Sequence, residues 1–314
     1  MQEAPKAWAE FEEWVARHTA GTVRDEFAWV QEDGTKVGKK HREYELKTSD
    51  GKALSRLSPF VLDDERPGAA DIEPNAAFPQ EVTCVNEGYA FRLSREAVDD
   101  SWVVTYLSSD TQYLHDWMSS GGEPLRAGLL VDQVFMGDLL KNKSFIIESV
   151  ELAQRAGRDC VEVRWRVDPS VGTIQSKVHH GMFRKGTLVL DPSRRWVLQE
   201  SESWMDNPDG RELRQVSRFR YRDAGAGFPL IEREEIDTFG YDEGVHHLVG
   251  AFDLKSEKEI PDAEFTLSGF GLPEPSLRDN AKRMYRPFLL LALAFPLLVA
   301  GFALWRHARK VGRC

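Results

Sequence analysis

The chain has 314 residues, with 41 Lys and Arg against 51 Asp and Glu, and the charge is unevenly spread: residues 1–277 carry a formal −17 and the last 37 carry +7. An acidic main body of this size excludes a nucleic-acid binder whose large domain tracks phosphates. Hydrophobic residues at 41%, with 17 Phe and 9 Trp, provide for a sizeable core, and 24 Gly with 15 Pro exclude a fibrous or wholly disordered chain.

Pro5 followed by WAEFEEWVARH puts Trp8, Phe11 and Val15 on one helical face with Trp14 nearby, which predicts an amphipathic helix over residues 5–18. Short β-like segments follow: EFAWVQ at 26–31, HREYELKTS at 41–49 and ALSRLSPFVL at 53–62. Asp33-Gly34 and Asp50-Gly51 punctuate them as turns, because Gly, and to a lesser degree Asp, tolerates positive φ. Residues 63–80 hold three prolines among several acids with little periodicity. They read as a long loop, or as the boundary of a small N-terminal subdomain. Strands resume with VTCV, YAFRLS and SWVVTYLS, and LRAGLLVDQVFMGDLL at 125–140 reads as a second helix.

From there the pattern is that of an antiparallel meander: FIIESVELA, CVEVRWRV, KGTLVLD, RWVLQESESW, ELRQVSRFRYR and PLIEREEID. In CVEVRWRV, Val161, Val163, Trp165 and Val167 alternate with Glu162, Arg164 and Arg166, so one face packs inward and the other meets water. In QVSRFRYR, Val216 is out of phase with Phe219 and Tyr221, which a bulge or a sheet covered on both faces reconciles. The absence of a β-α-β-α rhythm argues against a doubly wound sheet. Such alternation serves a filled core as well as a concave apolar pocket, and a filled core is the simpler expectation from pattern alone.

At the other end, residues 287–305 read PFLLLALAFPLLVAGFALW, without a charge or an amide, and at about 1.5 Å per residue they make a helix long enough to span a bilayer core. Lys282, Arg283 and Arg286 precede the segment and Arg306, Arg309, Lys310 and Arg313 follow it, flanked by Tyr285 and Trp305 as interfacial aromatics. The expected organisation is therefore a β-rich domain over 1–277, a basic juxtamembrane segment at 278–286, a single transmembrane helix at 287–305 and a basic tail at 306–314. The opening MQEAPKAWAEFEEWVARHT has no basic region followed by an apolar stretch, so as written it reads as a chain whose large domain stays cytoplasmic. The basic counts on the two sides of the span are nearly balanced and leave the topology open.

Few residues form a pattern with chemical meaning. Cys84, Cys160 and Cys314 are far apart and form no metal-spaced cluster; Cys84 and Cys160 read as buried thiols, with a bridge between them the alternative in an oxidising compartment. The histidine pairs His179-His180 and His246-His247 point to opposite faces of a strand, so a site needs one from each pair together with Asp206, Asp242 or Glu243. Glu234, Glu235 and Asp237 suggest general acid/base work, but charge alternation at a strand edge explains them without a displaced pKa. Arg194-Arg195 beside Trp196 is one basic pair in an acidic domain, a poor base for phosphate binding. No G-x-S-x-G elbow is present, and GAGF at 225–228 lacks the context of a dinucleotide loop. The expectation is no catalytic residue, no metal ligand and no cofactor.

The stretch GTIQSKVHHGMFRKGTLVLDPSRRWVLQESES, with Gly186, Leu190, Asp191, Pro192 and Trp196, resembles the strand-turn-strand pattern of the LolA/LolB-like and RseB N-terminal-like superfamily of bacterial envelope proteins. VNEGYAFRLSR before the main sheet and EFTLSGFGLPEP at 264–275 after it are similar to segments of a group of planctomycete-type membrane-anchored proteins. The resemblance implies a curved antiparallel sheet or half-open barrel covered by helices, with Trp165, Leu188, Leu190, Trp196, Phe219 and Tyr221 at sheet positions. It also implies a periplasmic side for the domain and a lipid, lipoprotein or other apolar ligand in its concavity. The alternatives are a sensor or scaffold domain with a filled core that binds an envelope protein through its acidic surface, and a hydrolase whose site has no recognisable motif. The chain departs from soluble carriers in the apolar segment at 287–305.

Overall fold

A computed structural model of the chain describes residues 3–31, 35–58, 61–63, 80–97, 99–111, 125, 127–155, 157–223, 228–241, 244–256 and 259–275. The expected features at Asp33-Gly34, residues 64–79, Asp242, Glu243, Cys314 and the apolar segment 287–305 lie outside them. Among the described residues no helix is long and apolar enough to cross a membrane.

Helix α1 (Ala4–His18) forms where the apolar spacing places it, with Pro5 in its first turn and Trp8, Phe11 and Val15 buried. It ends as Thr19 turns extended and leads directly into a strand. The strands are β1 (Thr19–Val30), β2 (Lys36–Ser49), β3 (Lys52–Leu57), β4 (Val61–Asp63), β5 (Gln80–Val85), β6 (Ala90–Arg95), β7 (Val103–Ser108), β8 (Leu130–Val131), β9 (Val134–Phe135), β10 (Phe145–Arg155), β11 (Arg158–Val167), β12 (Met182–Asp191), β13 (Val197–Asp206), β14 (Glu212–Asp223), β15 (Pro229–Tyr241) and β16 (Gly244–Ser256), with a short helix α2 (Met136–Lys141) after β9.

All but β8 and β9 belong to one curved, open antiparallel sheet in the order β10-β11-β12-β13-β14-β15-β16-β1-β2-β3-β5-β6-β7, with β4 on β2. The meander β10 to β16 closes onto the N-terminal strands by pairing β16 with β1 over twelve positions, from Thr19 opposite Ser256 to Val30 opposite Val245. The strands before and after residues 64–79 sit in this same sheet, β3 beside β5. Extra residues interrupt several ladders, at Ile147/Ser149, Phe183/Lys185, Arg220/Tyr221 and Thr238/Tyr241 among others. Each such bulge adds local twist and bends the sheet.

The core lies on one face of the sheet, where Trp8, Phe11 and Val15 of α1 and Met136 and Leu139 of α2 pack with Val163, Trp165, Leu188, Leu190, Phe219 and Leu254. Asp50 and Gly51 take positive φ in the β2–β3 turn, as the dipeptide predicts. Val216 does face away from Phe219 and Tyr221 yet is 4% exposed. Its cross-strand neighbours are Glu202 and Asp237, and the ion pairs Arg214–Glu202 and Arg218–Asp237 stretch long side chains along either side of it.

The helix expected over 125–140 is not formed. A 3₁₀ turn at Ala127–Leu129 leads into the β8–β9 hairpin, whose turn residues Asp132 and Gln133 have φ of 47° and 63°, and of residues 127–141 only Met136–Lys141 is α-helical. The apolar residues Leu129 and Val131 fit a period of two as well as they fit a helix, and tertiary contact decides between them. Gly128 lies so close to the Tyr221 ring that a Cβ would come within 2.1 Å of its hydroxyl, which holds the turn against β14.

By contacts the chain divides into a unit of Met1–Thr266 and a second of Leu267–Cys314. Of the second, the described part is a 3₁₀ turn at Ser268–Phe270 closed by Gly271 at φ 74°.

Candidate functional site

The inner face of β2, β1, β16, β15 and β14 is tiled in rows set by strand register. One row runs Arg42, Asp25, Gly250, Glu234, Phe219; the next runs Lys40, Phe27, Leu248, Ile236, Ser217; a third runs Gly38, Trp29, His246, Thr238, Gln215. These residues, Gly38 and Gly250 excepted, line a cavity of about 680 Å³, roofed by Ala127, Leu130, Asp132 and Gln133 of the hairpin segment and by Val178 and His179. That volume is typical of a small-molecule pocket. The filled core expected from alternation holds beneath β11 to β13, whereas here the lining mixes polar and apolar side chains around open space.

The middle row is apolar at its centre, Phe27, Leu248 and Ile236, between Lys40 and Ser217, and the flanking rows carry most of the polar groups. In the first, Arg42 donates from Nε and Nη2 to Oδ2 of Asp25 at 3.1 and 3.0 Å, and its guanidinium lies over the rings of Phe27 and Tyr44. Burial raises the Asp25 carboxyl above its usual range despite Arg42. Glu234 faces the same space; its side chain is half-buried and opens on the cavity, and burial followed by repulsion from Asp25 pushes it up to about 8. Lys40 lies over Phe27 and Trp29, 5.1 and 5.4 Å from the ring centroids.

At the far end, His179, His246 and His247 line the cavity. The ring of His179 bonds through Nε2 to Oε1 of Gln215 at 2.9 Å and through Nδ1 to the hydroxyl of Tyr241 at 2.8 Å; a neutral Nε2–H tautomer satisfies both, accepting from the tyrosine. Tyr241 in turn stacks on His246 at 4.0 Å. The carboxylate in this group is Asp132, 3.7 Å from His179, and not Asp206, which pairs with Arg184 on the surface. Burial raises the Asp132 carboxyl, with His179 opposing. His180 takes positive φ in the adjacent turn, and His247 bonds Asp237 at 2.6 Å.

The reading of Glu234, Glu235 and Asp237 as strand-edge charges without displaced pKa values is corrected for Glu234. β15 is an interior strand, and the extra residue between Ile231 and Arg233 shifts its phase so that Glu234, Ile236 and Thr238 face the cavity. Glu235 pairs outward with Arg233, and Asp237 is held below the usual carboxylate range by its bonds to His247 and Arg218, against the effect of burial. Arg194 bonds the Tyr221 carbonyl and Arg195 pairs with Glu10 at 2.7 Å, so that basic pair serves the fold. Cys84 and Cys160 are buried free thiols on separate strands. Of the six sheet positions implied by the resemblance, Phe219 lines the cavity; Trp165, Leu188, Leu190 and Tyr221 are buried in the core and Trp196 packs against it. Asp191 caps the 3₁₀ turn Pro192–Arg194 between β12 and β13. Among the described residues no group of three or more His, Cys, Asp or Glu could hold a metal ion.

Asp25, Phe27, Trp29, Lys40 and Arg42 were not singled out from the sequence. The available signal was the alternation in DEFAWV and KKHREYE, which places them on one face of each strand.

An open antiparallel sheet with an amphipathic cavity on its inner face is the class of protein that fold and site define. No family model matches the chain, and no curated protein matches it. Among solved structures it is similar to a DUF1329 family protein from Desulfovibrio piger, at 11% identity over 86% of this chain and 98% of that one, TM-score 0.42. It is similar to a putative outer membrane lipoprotein-sorting protein domain from Vibrio parahaemolyticus, at 10% identity over 86% and 98%, TM-score 0.41. A LolA superfamily protein from Nitrosomonas europaea matches at 12% identity over 82% and 96%, TM-score 0.34. The last of these belongs to the LolA superfamily, the group that the sequence resembles. At TM-scores below 0.5 the likeness carries no argument about ligand, activity or partner.

Proposed function

We propose that the protein holds a lipid or another amphipathic small ligand in the cavity between β1, β2, β14, β15 and β16 and the β8–β9 hairpin. The observation that carries this reading is the arrangement of the lining: an apolar stretch of Phe27, Leu248 and Ile236, with Leu130 and Val178 also in the lining, runs between a row that holds Arg42, Asp25 and Glu234 and one that holds His246, Thr238 and Gln215. A ligand with an apolar middle and polar ends matches it, and at about 30 Å³ per water-sized group the space takes on the order of twenty such groups. In this reading the sheet works as a half-open barrel. Residues 287–305 tether it to a membrane through the cationic flanks at 278–286 and 306–314, and the domain faces the envelope space, where a lipidated protein is the natural partner.

Trp29 on the cavity floor provides the test. With the full chain in nonionic detergent, a brominated single-chain lipid should quench tryptophan emission in a saturable way, and Trp29→Phe should remove most of the quenched component. Leu248→Trp, which fills the middle row, should abolish the saturable phase. Quenching that grows linearly with probe and ignores Leu248→Trp would show only partition into micelles and would refute the proposal.

A further inference from the structure

Three acids, Asp25, Asp132 and Glu234, line the cavity against Arg42 and Lys40, whose ammonium pKa is lowered from its ordinary value by burial and by Arg42. Asp25 is bonded by Arg42, and Asp132 lies against His179 and Gln215. Glu234 has no hydrogen bond or ion pair among the described residues; the groups that act on it are the protein that buries it and the Asp25 carboxylate. A half-buried carboxyl that opens on a cavity without a protein partner leaves its oxygens for a ligand's donors.

Resting on the ligand-binding reading above, we propose that the Asp25–Gly250–Glu234 row is the seat of a protonated primary amine, and that the ligand is a single-chain amphiphile carrying that amine. Geometry favours an ammonium over an anion. Arg42 is engaged by Asp25 and stacked on two rings, so a ligand carboxylate or phosphate at this end would meet the Asp25 carboxylate and a Glu234 carboxyl without a free guanidinium to pair with. An ammonium brings three donors and one positive charge to a carboxyl that has neither. The chain of the ligand then lies along Phe27, Leu248 and Ile236, the apolar row immediately beside Glu234. The charged and titratable groups around Glu234 are Asp25 on β1, Lys40, Arg42 and Tyr44 on β2 and Tyr221 on β14; Gly250 of β16, between the two acids, adds none. Because Glu234 holds its proton near neutral pH in the empty cavity, seating an ammonium expels that proton to solvent.

The test is calorimetric titration of the full chain in nonionic detergent at pH 7 with octylamine, octanol and octanoate, probes of one chain length and three head chemistries. Octylamine should bind at least about tenfold more tightly than octanol, and its heat should differ between buffers of high and low ionisation enthalpy in the sense of proton release. Glu234→Gln should bring the octylamine-to-octanol affinity ratio to about one and erase the proton release, and Leu248→Trp should remove binding of both. Equal affinity for amine and alcohol, tighter binding of octanoate, or a preference that survives Glu234→Gln would overturn the amine assignment and leave the cavity reading standing. Absence of saturable binding by all three, or binding indifferent to Leu248→Trp, would overturn both.

Discussion

The indole Nε1 of Trp8 donates a 2.8 Å hydrogen bond to the carbonyl of Trp196, joining the N-terminal helix to the turn between β12 and β13 across 188 residues of sequence. Around it, Arg195 pairs with Glu10 and lies over Phe228, which stacks on Trp14 at 4.9 Å. The helix is thereby fastened to the meander and not only to the strand that follows it. Trp8→Phe keeps most of the apolar burial and loses the bond, so it should cost about 1–2 kcal/mol. Trp8→Ala should cost about 3–5 kcal/mol. Urea unfolding of the two variants measures both, and a Trp8→Phe variant as stable as the native chain would mean that the bond contributes nothing.

Glu234 sets a pH dependence of stability in the empty protein. Its folded value of about 8 exceeds the ordinary carboxyl value of 4.5, so between those limits the folded state binds more protons than the unfolded state, and stability falls as pH rises. The full loss is on the order of 3–5 kcal/mol above pH 8. Asp25, also raised, acts in the same sense, whereas Asp237, held low, contributes stability that is lost as pH falls through its folded value. Thermal melts from pH 5 to 8.5 should show a falling midpoint for the native chain. The Glu234→Gln curve should be flatter, and above pH 8 the variant should be the more stable of the two.

The Asp25–Arg42 pair should respond differently to one deletion than to two. Arg42→Met leaves a buried carboxyl without its cation and should cost about 3–5 kcal/mol. Asp25→Asn combined with Arg42→Met removes the charge as well and should recover a large part of that cost. A double-mutant cycle by denaturant unfolding reads the coupling, and strictly additive costs would refute the pairing.

Gly186 sits opposite Trp165 on β11, where a Cβ would come within 2.2 Å of the Glu202 carbonyl oxygen and 2.6 Å of the indole ring. The constraint is space, since one of the two neighbours is backbone. Gly186→Ala should therefore destabilise by about 1–3 kcal/mol or more, and a loss of near-ultraviolet dichroism from Trp165 should accompany the lower urea midpoint.

The helix at the N-terminus, the antiparallel meander and the inward face of CVEVRWRV were legible because each depends on one period of burial that local sequence carries. The 125–140 segment misled because its apolar spacing suits both a helix and a hairpin, and contact of Gly128 with Tyr221 decides between them. Glu234 misled for a related reason: a single bulged residue reverses which face of β15 turns inward, and no local pattern reports a bulge.

The sequence by itself determined an acidic, strand-rich body with charge segregated from a cationic, apolar tail segment, because composition and periodicity are properties of neighbouring residues. Only the tertiary structure decided that β16 returns to pair with β1. That pairing brings Arg42 and Asp25 from the start of the chain into one row with Glu234, and carries His246 to the end of the cavity where His179 and Tyr241 meet. Strand register across some two hundred residues sets this juxtaposition, and register is fixed by pairing between strands and not by the residues within any one of them.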